Sequence, residues 1–238
     1  SIHPHALFSS LITLLLYVSI FGSFIWNACS LVSFNLKHLS KSSSTKKHYE
    51  FQQIAILSLI YSLTFGSQLA VISMFPQLLE TLYGLTTVQA GWFGSSFAFM
   101  NLVTRPGGGW FSDKVGRKRS ILILTTGVML SYGLMTQIGP KWPLAGTMAA
   151  AILSSIFLQA GNGACFAIVP LIRKDLTGKL AGLVGAYGNF GAVVFLIVFS
   201  FVDTKLFFTI LASYSALILA VSAILRPFTM DSENRGDN

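Results

Sequence analysis

Residues 101–119 read NLVTRPGGGWFSDKVGRKR, an arginine inside an apolar stretch that closes on a short basic turn. The stretch runs from about 88 to 111 with no acidic residue, long enough as a helix to cross a bilayer core. An arginine at mid-membrane depth costs about 2.5–3.5 kcal/mol on insertion scales, so it is retained where it faces something useful inside a bundle. No Asp or Glu lies within any apolar stretch of the chain, so the usual counter-ion for Arg105 is missing. A guanidinium with no protein counter-ion is a seat for a small anion, which its planar donors grip together.

The rest of the composition agrees with a membrane setting. The chain has 238 residues, 53% hydrophobic and 10% charged, against about 25% charged in soluble domains. The net charge of +8 raises nucleic acid as a partner, but the basic residues sit in short loops between apolar runs, so no nucleic acid is expected. Cys29 and Cys165 fall within apolar spans and read as packing residues. No span holds a nucleophile beside a base, a metal-ligating cluster or a haem-ligating histidine pair, so catalytic residues, a metal and a cofactor are all unexpected, and the chain does not read as an enzyme.

Seven spans emerge at about 7–34, 53–79, 88–111, 120–139, 145–171, 181–201 and 206–225, an all-α integral membrane protein. Thirteen of the sixteen Lys and Arg residues fall on one side: Lys37, Lys41, Lys46, Lys47, Lys114, Arg117, Lys118, Arg119, Arg173, Lys174, Lys179, Arg226 and Arg235. Lys141 and Lys205 alone lie opposite. The positive-inside rule then puts the amino terminus outside and the carboxyl terminus in the cytoplasm, in a plasma (inner) membrane. Seven such spans suit either a seven-helix receptor or one helix plus a complete six-helix half of a transporter. A retinal protein would need a lysine within a span, and there is none. The Ser- and Lys-rich segment 37–50, KHLSKSSSTKKHYE, reads as a solvated linker between two halves.

Residues 107–119 resemble the cytoplasmic loop signature of the major facilitator superfamily. Gly108 and Gly109 allow close helix approach, Asp113 suits a helix amino end, and Arg117, Lys118 and Arg119 suit an anionic headgroup layer. The resemblance implies a conformational latch of Gly109, Asp113, Gly116, Arg117 and Arg119; a basic loop that merely sets topology is the plainer alternative.

Two further stretches are glycine-rich and each holds an asparagine: AGNGACF at 160–166 and AGLVGAYGNFGA at 181–192. In the second, Gly185, Gly188 and Ala192 are spaced to share a helix face, with Asn189 beside it. Ordinary small-residue packing with an asparagine between helices is one reading; a substrate path along Gly161, Gly163, Gly185, Gly188 and Gly191 is the other.

Gly185-Ala-Tyr-Gly188-Asn189-Phe-Gly191 resembles the nitrate signature of the nitrate/nitrite porter family, and Arg105-Pro-Gly-Gly108 is similar to that family's substrate arginine. The match covers most of 51–226. It implies that 1–36 is the last helix of an amino-terminal half, 37–50 the cytoplasmic linker, 51–226 the carboxyl-terminal six-helix half and 227–238 a cytoplasmic tail. By it, Arg105 binds the anion, Tyr61 hydrogen-bonds it and Phe166 packs on its plane, with Asn162 and Asn189 as further contacts. The partners implied are nitrate or nitrite, the lipid bilayer and an amino-terminal half with a second arginine, without which this chain is not expected to transport.

All eight acidic residues and all four histidines lie in or near loops, ends or tail, so the spans hold no evident proton relay. Coupling must come from the other half, from substrate, or from anion exchange. A facilitator for another anion or organic solute, and a seven-helix receptor, remain the rivals.

Overall fold

The computed structural model describes residues 4–39 and 51–225, and every regular element among them is helical. The chain divides into two units, the first carrying α1 (Pro4–Leu39) and the second all the other helices. Along α1 apolar side chains point every way, with Leu14, Leu15, Phe21, Phe24 and Trp26 exposed, as suits a helix solvated by lipid. The helix runs on through Lys37 and His38, because no Gly or Pro interrupts FNLKHL. Residues 37–39 of the expected linker lie at the end of this helix; the rest of it, 40–50, and the tail from 226 lie outside the described residues.

In the second unit, α2 (Phe51–Tyr61), a π-helical turn (Ser62–Gly66) and α3 (Ser67–Tyr83) form one continuous span. Gly84 ends it at φ +61°, a conformation glycine adopts without penalty. α4 (Thr87–Phe99) opens on a capping box in which Thr86 and Gln89 satisfy each other's backbone amides. The third span, expected as one helix, is two: α4 stops and α5 (Asn101–Val115) begins on either side of Met100. The Phe97 carbonyl, which would continue the helix, instead accepts from Ser155 Oγ (2.7 Å) and Gln159 Nε2 (2.8 Å).

Gly116, at φ +100°, turns the chain into α6 (Arg117–Met135). After Pro143 comes α7 (Leu144–Ile172), then α8 (Thr177–Phe201) and α9 (Thr204–Ser222). With α1, these make the seven expected spans. Five are long and apolar enough to cross a membrane taken alone. Of the other two, α4 and α5 are 13 and 15 residues each, and α6 opens on Arg117, Lys118 and Arg119.

α5 crosses α7, α6 packs on α7 and α9, and α8 lies against α2 and the π-turn. Leu57, Ile60, Leu63, Phe75, Phe97, Tyr132, Phe207 and Phe208 fill the core. The outer surface exposes Trp92, Trp110, Leu130, Phe201 and Leu217, a load of apolar side chains that water would not tolerate and lipid does.

Candidate substrate site

Arg105, Tyr61 and Phe166 come from three helices and meet. An Arg105 terminal nitrogen donates to the Tyr61 hydroxyl at 3.0 Å, and the guanidinium carbon lies 5.8 Å from the centre of the Phe166 ring, within cation–π range. Tyr61 and Phe166 pack edge to face at 4.8 Å. Among the described residues no carboxylate pairs with Arg105, whereas Arg117 pairs with Asp113 and Arg173 with Asp175. Because Tyr61 accepts from the guanidinium, its own proton is left to donate elsewhere. The cluster thus offers guanidinium N–H groups and one O–H beside aromatic faces, a donor set suited to a small planar anion.

Backbone packing builds this arrangement. Gly163 faces the carbonyl oxygen of Arg105, and Gly108 faces the backbone of Ala160, so α5 and α7 touch main chain to main chain. Gly188 of α8 lies against the Tyr61 ring, where a Cβ would come within 2.5 Å. Gly161 meets Thr64, and Gly191 meets Ser62, so both pack on the π-turn. Four of the five glycines read as a path are therefore seats for neighbouring helices.

Gly185 is the exception. Nothing lies within 4 Å of the position its Cβ would take, and the packed stripe of α8 is Val184, Gly188, Gly191, Ala192 and Phe195. Gly185 does not share the packed face of Gly188 and Ala192 as expected, because the 3.6-residue period carries that face through Val184 instead.

The two asparagines part company. Asn162 is buried, donates to Gln68 Oε1 at 2.6 Å, and its side-chain oxygen has no hydrogen-bond partner. Asn189 is exposed and bonds back to the Gly185 carbonyl of its own helix at 3.1 Å, away from the Arg105 cluster's hydrogen bonds.

At the basic turn, Asp113 pairs with Arg117 across Gly116, and Arg117 reaches Ser112 Oγ at 3.4 Å. No side chain caps α6, so Asp113 holds the turn through its arginine rather than as a cap of that helix. Gly109 approaches Gly163, and Arg119 is exposed.

Sequence reasoning missed three residues near the cluster. Phe65 stacks on Tyr61 at 5.1 Å with the rings 6° from parallel. Gln68 holds Asn162, and Gln159 receives a bond from Thr104, the residue before Arg105, at 3.0 Å. The signal was available for the two glutamines, since an amide in an apolar span needs a partner as much as Asn162 does.

Residues 57–237 match the family model described as the Major Facilitator Superfamily. The chain belongs to that superfamily. Among the relatives of this major facilitator are proteins named as nitrate/nitrite transporters. The chain is 46% identical over 171 residues to the nitrate/nitrite transporter NrtP of Picosynechococcus sp., across 71% of this chain and 32% of that protein. It is 42% identical over 181 residues to NrtP of Nostoc punctiforme, across 76% and 36%. The nitrite extrusion protein of Bacillus subtilis is 30% identical over 155 residues, across 64% and 38%. The chain spans about a third of the length of the curated relatives it matches first. In fold it is similar to the human organic anion transporter MFSD10 (TETRAN), with a TM-score of 0.62 at 16% identity over 76% of this chain and 49% of that one. As a major facilitator the chain is a multi-pass membrane protein of a carrier family, not an enzyme.

Proposed function

We propose that this chain is the anion-binding carboxyl-terminal part of a secondary transporter that moves nitrate and/or nitrite by alternating access. The observation that carries the reading is Arg105, which lies within a span, bonds Tyr61, lies over Phe166 and has no carboxylate partner among the described residues. The relatives named nitrate/nitrite transporter and nitrite extrusion protein support the choice of anion.

In the intact carrier an opposing half supplies a second cation, and the anion sits between the halves near the midplane. Binding neutralises the repulsion between the two cations, so the loaded carrier closes and reopens on the other side. A guanidinium stays charged and cannot relay a proton, so coupling resides in the anion itself or in the opposing half. Asn162 adds an amide next to Gly163, and Asn189 faces outward, where the opposing half would meet α8.

Orientation follows the basic residues: the amino end of this chain outside, the carboxyl end in the cytoplasm of a plasma (inner) membrane. The Asp113–Arg117 pair with Gly109, Gly116 and Arg119 acts as a latch at the cytoplasmic end. Residues 1–36 close the amino-terminal half, 37–50 link the halves, 51–226 form the carboxyl-terminal half and 227–238 the tail.

Competition of labelled nitrate uptake in the full-length carrier tests the reading. Nitrite and chlorate should compete and chloride should not; chloride competing as well as nitrite would make this a carrier for small anions at large.

A further inference from the structure

We propose that Tyr214 is a positioning residue for the anion site: by donating to Ser62 it holds the π-turn in the register that aims Tyr61 at Arg105. The proposal rests on the reading of Arg105 as the anion's seat.

A π-turn carries one residue more per turn than an α-helix and is uncommon outside functional regions. Sliding it back into α register would rotate the residues before the turn by about 100° relative to those after it. Tyr61 is the residue immediately before the turn, so its aim depends on that register. Three hydroxyls brace the turn by bonding carbonyls one turn back: Ser62 to Leu59 (2.8 Å), Thr64 to Ile60 (3.1 Å) and Ser67 to Leu63 (2.5 Å). Side-chain hydroxyls of this kind supplement the backbone bonding of an irregular membrane helix; the Leu63 carbonyl, for one, accepts both the amide and the hydroxyl of Ser67.

Two of these hydroxyls are held in turn by tyrosines from other helices. Tyr132 of α6 bonds Ser67 at 2.6 Å, deep in the core beside Phe208, and so anchors α3 beyond the turn. Tyr214 of α9 bonds Ser62 at 3.0 Å, on the side where Tyr61 sits. Ser62 has already given its proton to Leu59, so Tyr214 is the donor. Its ring packs edge-on against Phe195 of α8 at 5.5 Å, and the bond lies in an apolar groove of about 290 Å³ bordered by Leu59, Phe190 and Val194. With little water to compete, the bond adds to the hydroxyl braces that hold the register.

The test is nitrate uptake by the full-length carrier, normalised to the amount in the membrane. Tyr214→Phe keeps the ring on Phe195 and removes only the hydroxyl. KM should rise about three- to ten-fold, the worth of one hydrogen bond, with the membrane level unchanged. Ser62→Ala should raise KM at least as much, since it also removes the brace to Leu59. The double variant should go no further than Ser62→Ala, where the bond to Tyr214 is already gone. The stabilisation of the purified carrier by nitrate on heating should shrink in the same variants, a readout independent of turnover.

A KM within twofold of wild type in Tyr214→Phe, with only the amount of carrier reduced, would overturn the proposal and leave Tyr214 a packing residue. Additive effects in the double variant would overturn it too. Arg105→Lys in the same assay separates the two claims. If Arg105→Lys loses uptake and Tyr214→Phe keeps its KM, positioning alone fails; if Arg105→Lys keeps uptake, the reading of the anion seat fails.

Discussion

Gly188 lies directly against the ring of Tyr61: a methyl at its Cα would come within 2.5 Å of two ring carbons and within 3.0 Å of Phe65. The ring cannot simply swing aside, because its hydroxyl is bonded to Arg105 and its edge is packed on Phe166. The glycine of α8 and the arginine of α5 therefore set the tyrosine between them.

Gly188→Leu should abolish at least about nine-tenths of nitrate uptake in the full-length carrier while the protein still inserts. The added side chain must drive Tyr61 from Arg105 or part α8 from the π-turn, and overpacking of this kind costs about 1–3 kcal/mol. Uptake at more than half the wild-type rate, at equal membrane level, would mean the two helices separate freely at this point.

Gly163→Ala strikes backbone instead of a ring, since its Cβ would overlap the Arg105 carbonyl oxygen. Main chain yields less than a side-chain tip, so the purified carrier should lose about 1–3 kcal/mol of stability. Thermal unfolding in detergent measures it, and an unchanged melting temperature would contradict the close α5–α7 crossing.

Gln159→Leu should cost about 1–2 kcal/mol. The side chain is fully buried and bonds Phe97, Ser155 and Thr104 at once, holding open the break between α4 and α5. Single interhelical bonds in membranes average about 0.6 kcal/mol, so the larger figure reflects three partners lost together. A melting temperature within error of wild type would mean the break needs no strut.

Asp113→Asn separates a latch from a brace. The Asp113 side chain is 49% exposed, so its pair with Arg117 contributes little stability, about 0–1 kcal/mol. If the pair breaks and reforms during transport, the uptake rate should fall several-fold with thermal stability nearly unchanged. Equal small losses in both would assign the pair to the fold alone.

The seven spans were legible because lipid demands long apolar helices, and the basic residues mark their ends. Arg105, Tyr61 and Phe166 were found through the resemblance; only Arg105 announces itself physically, as a charge in an apolar span. The break at Met100 and the π-turn at 62–66 were not legible. Each depends on which neighbour takes a freed carbonyl: Ser155 and Gln159 at Phe97, and Ser62 at Leu59. Gly185 misled because its spacing to Gly188 fits a helix face as well as that of Val184 does. Only the partner helix chooses between them, and it chose Val184.

The most direct test is Arg105→Lys in the complete carrier. Lysine keeps the charge but loses the planar fork and its hold on Tyr61 and Phe166. Uptake of labelled nitrate, normalised to the protein in the membrane, should fall at least about tenfold. Wild-type uptake in that variant would contradict the assignment of Arg105 as the seat of the anion.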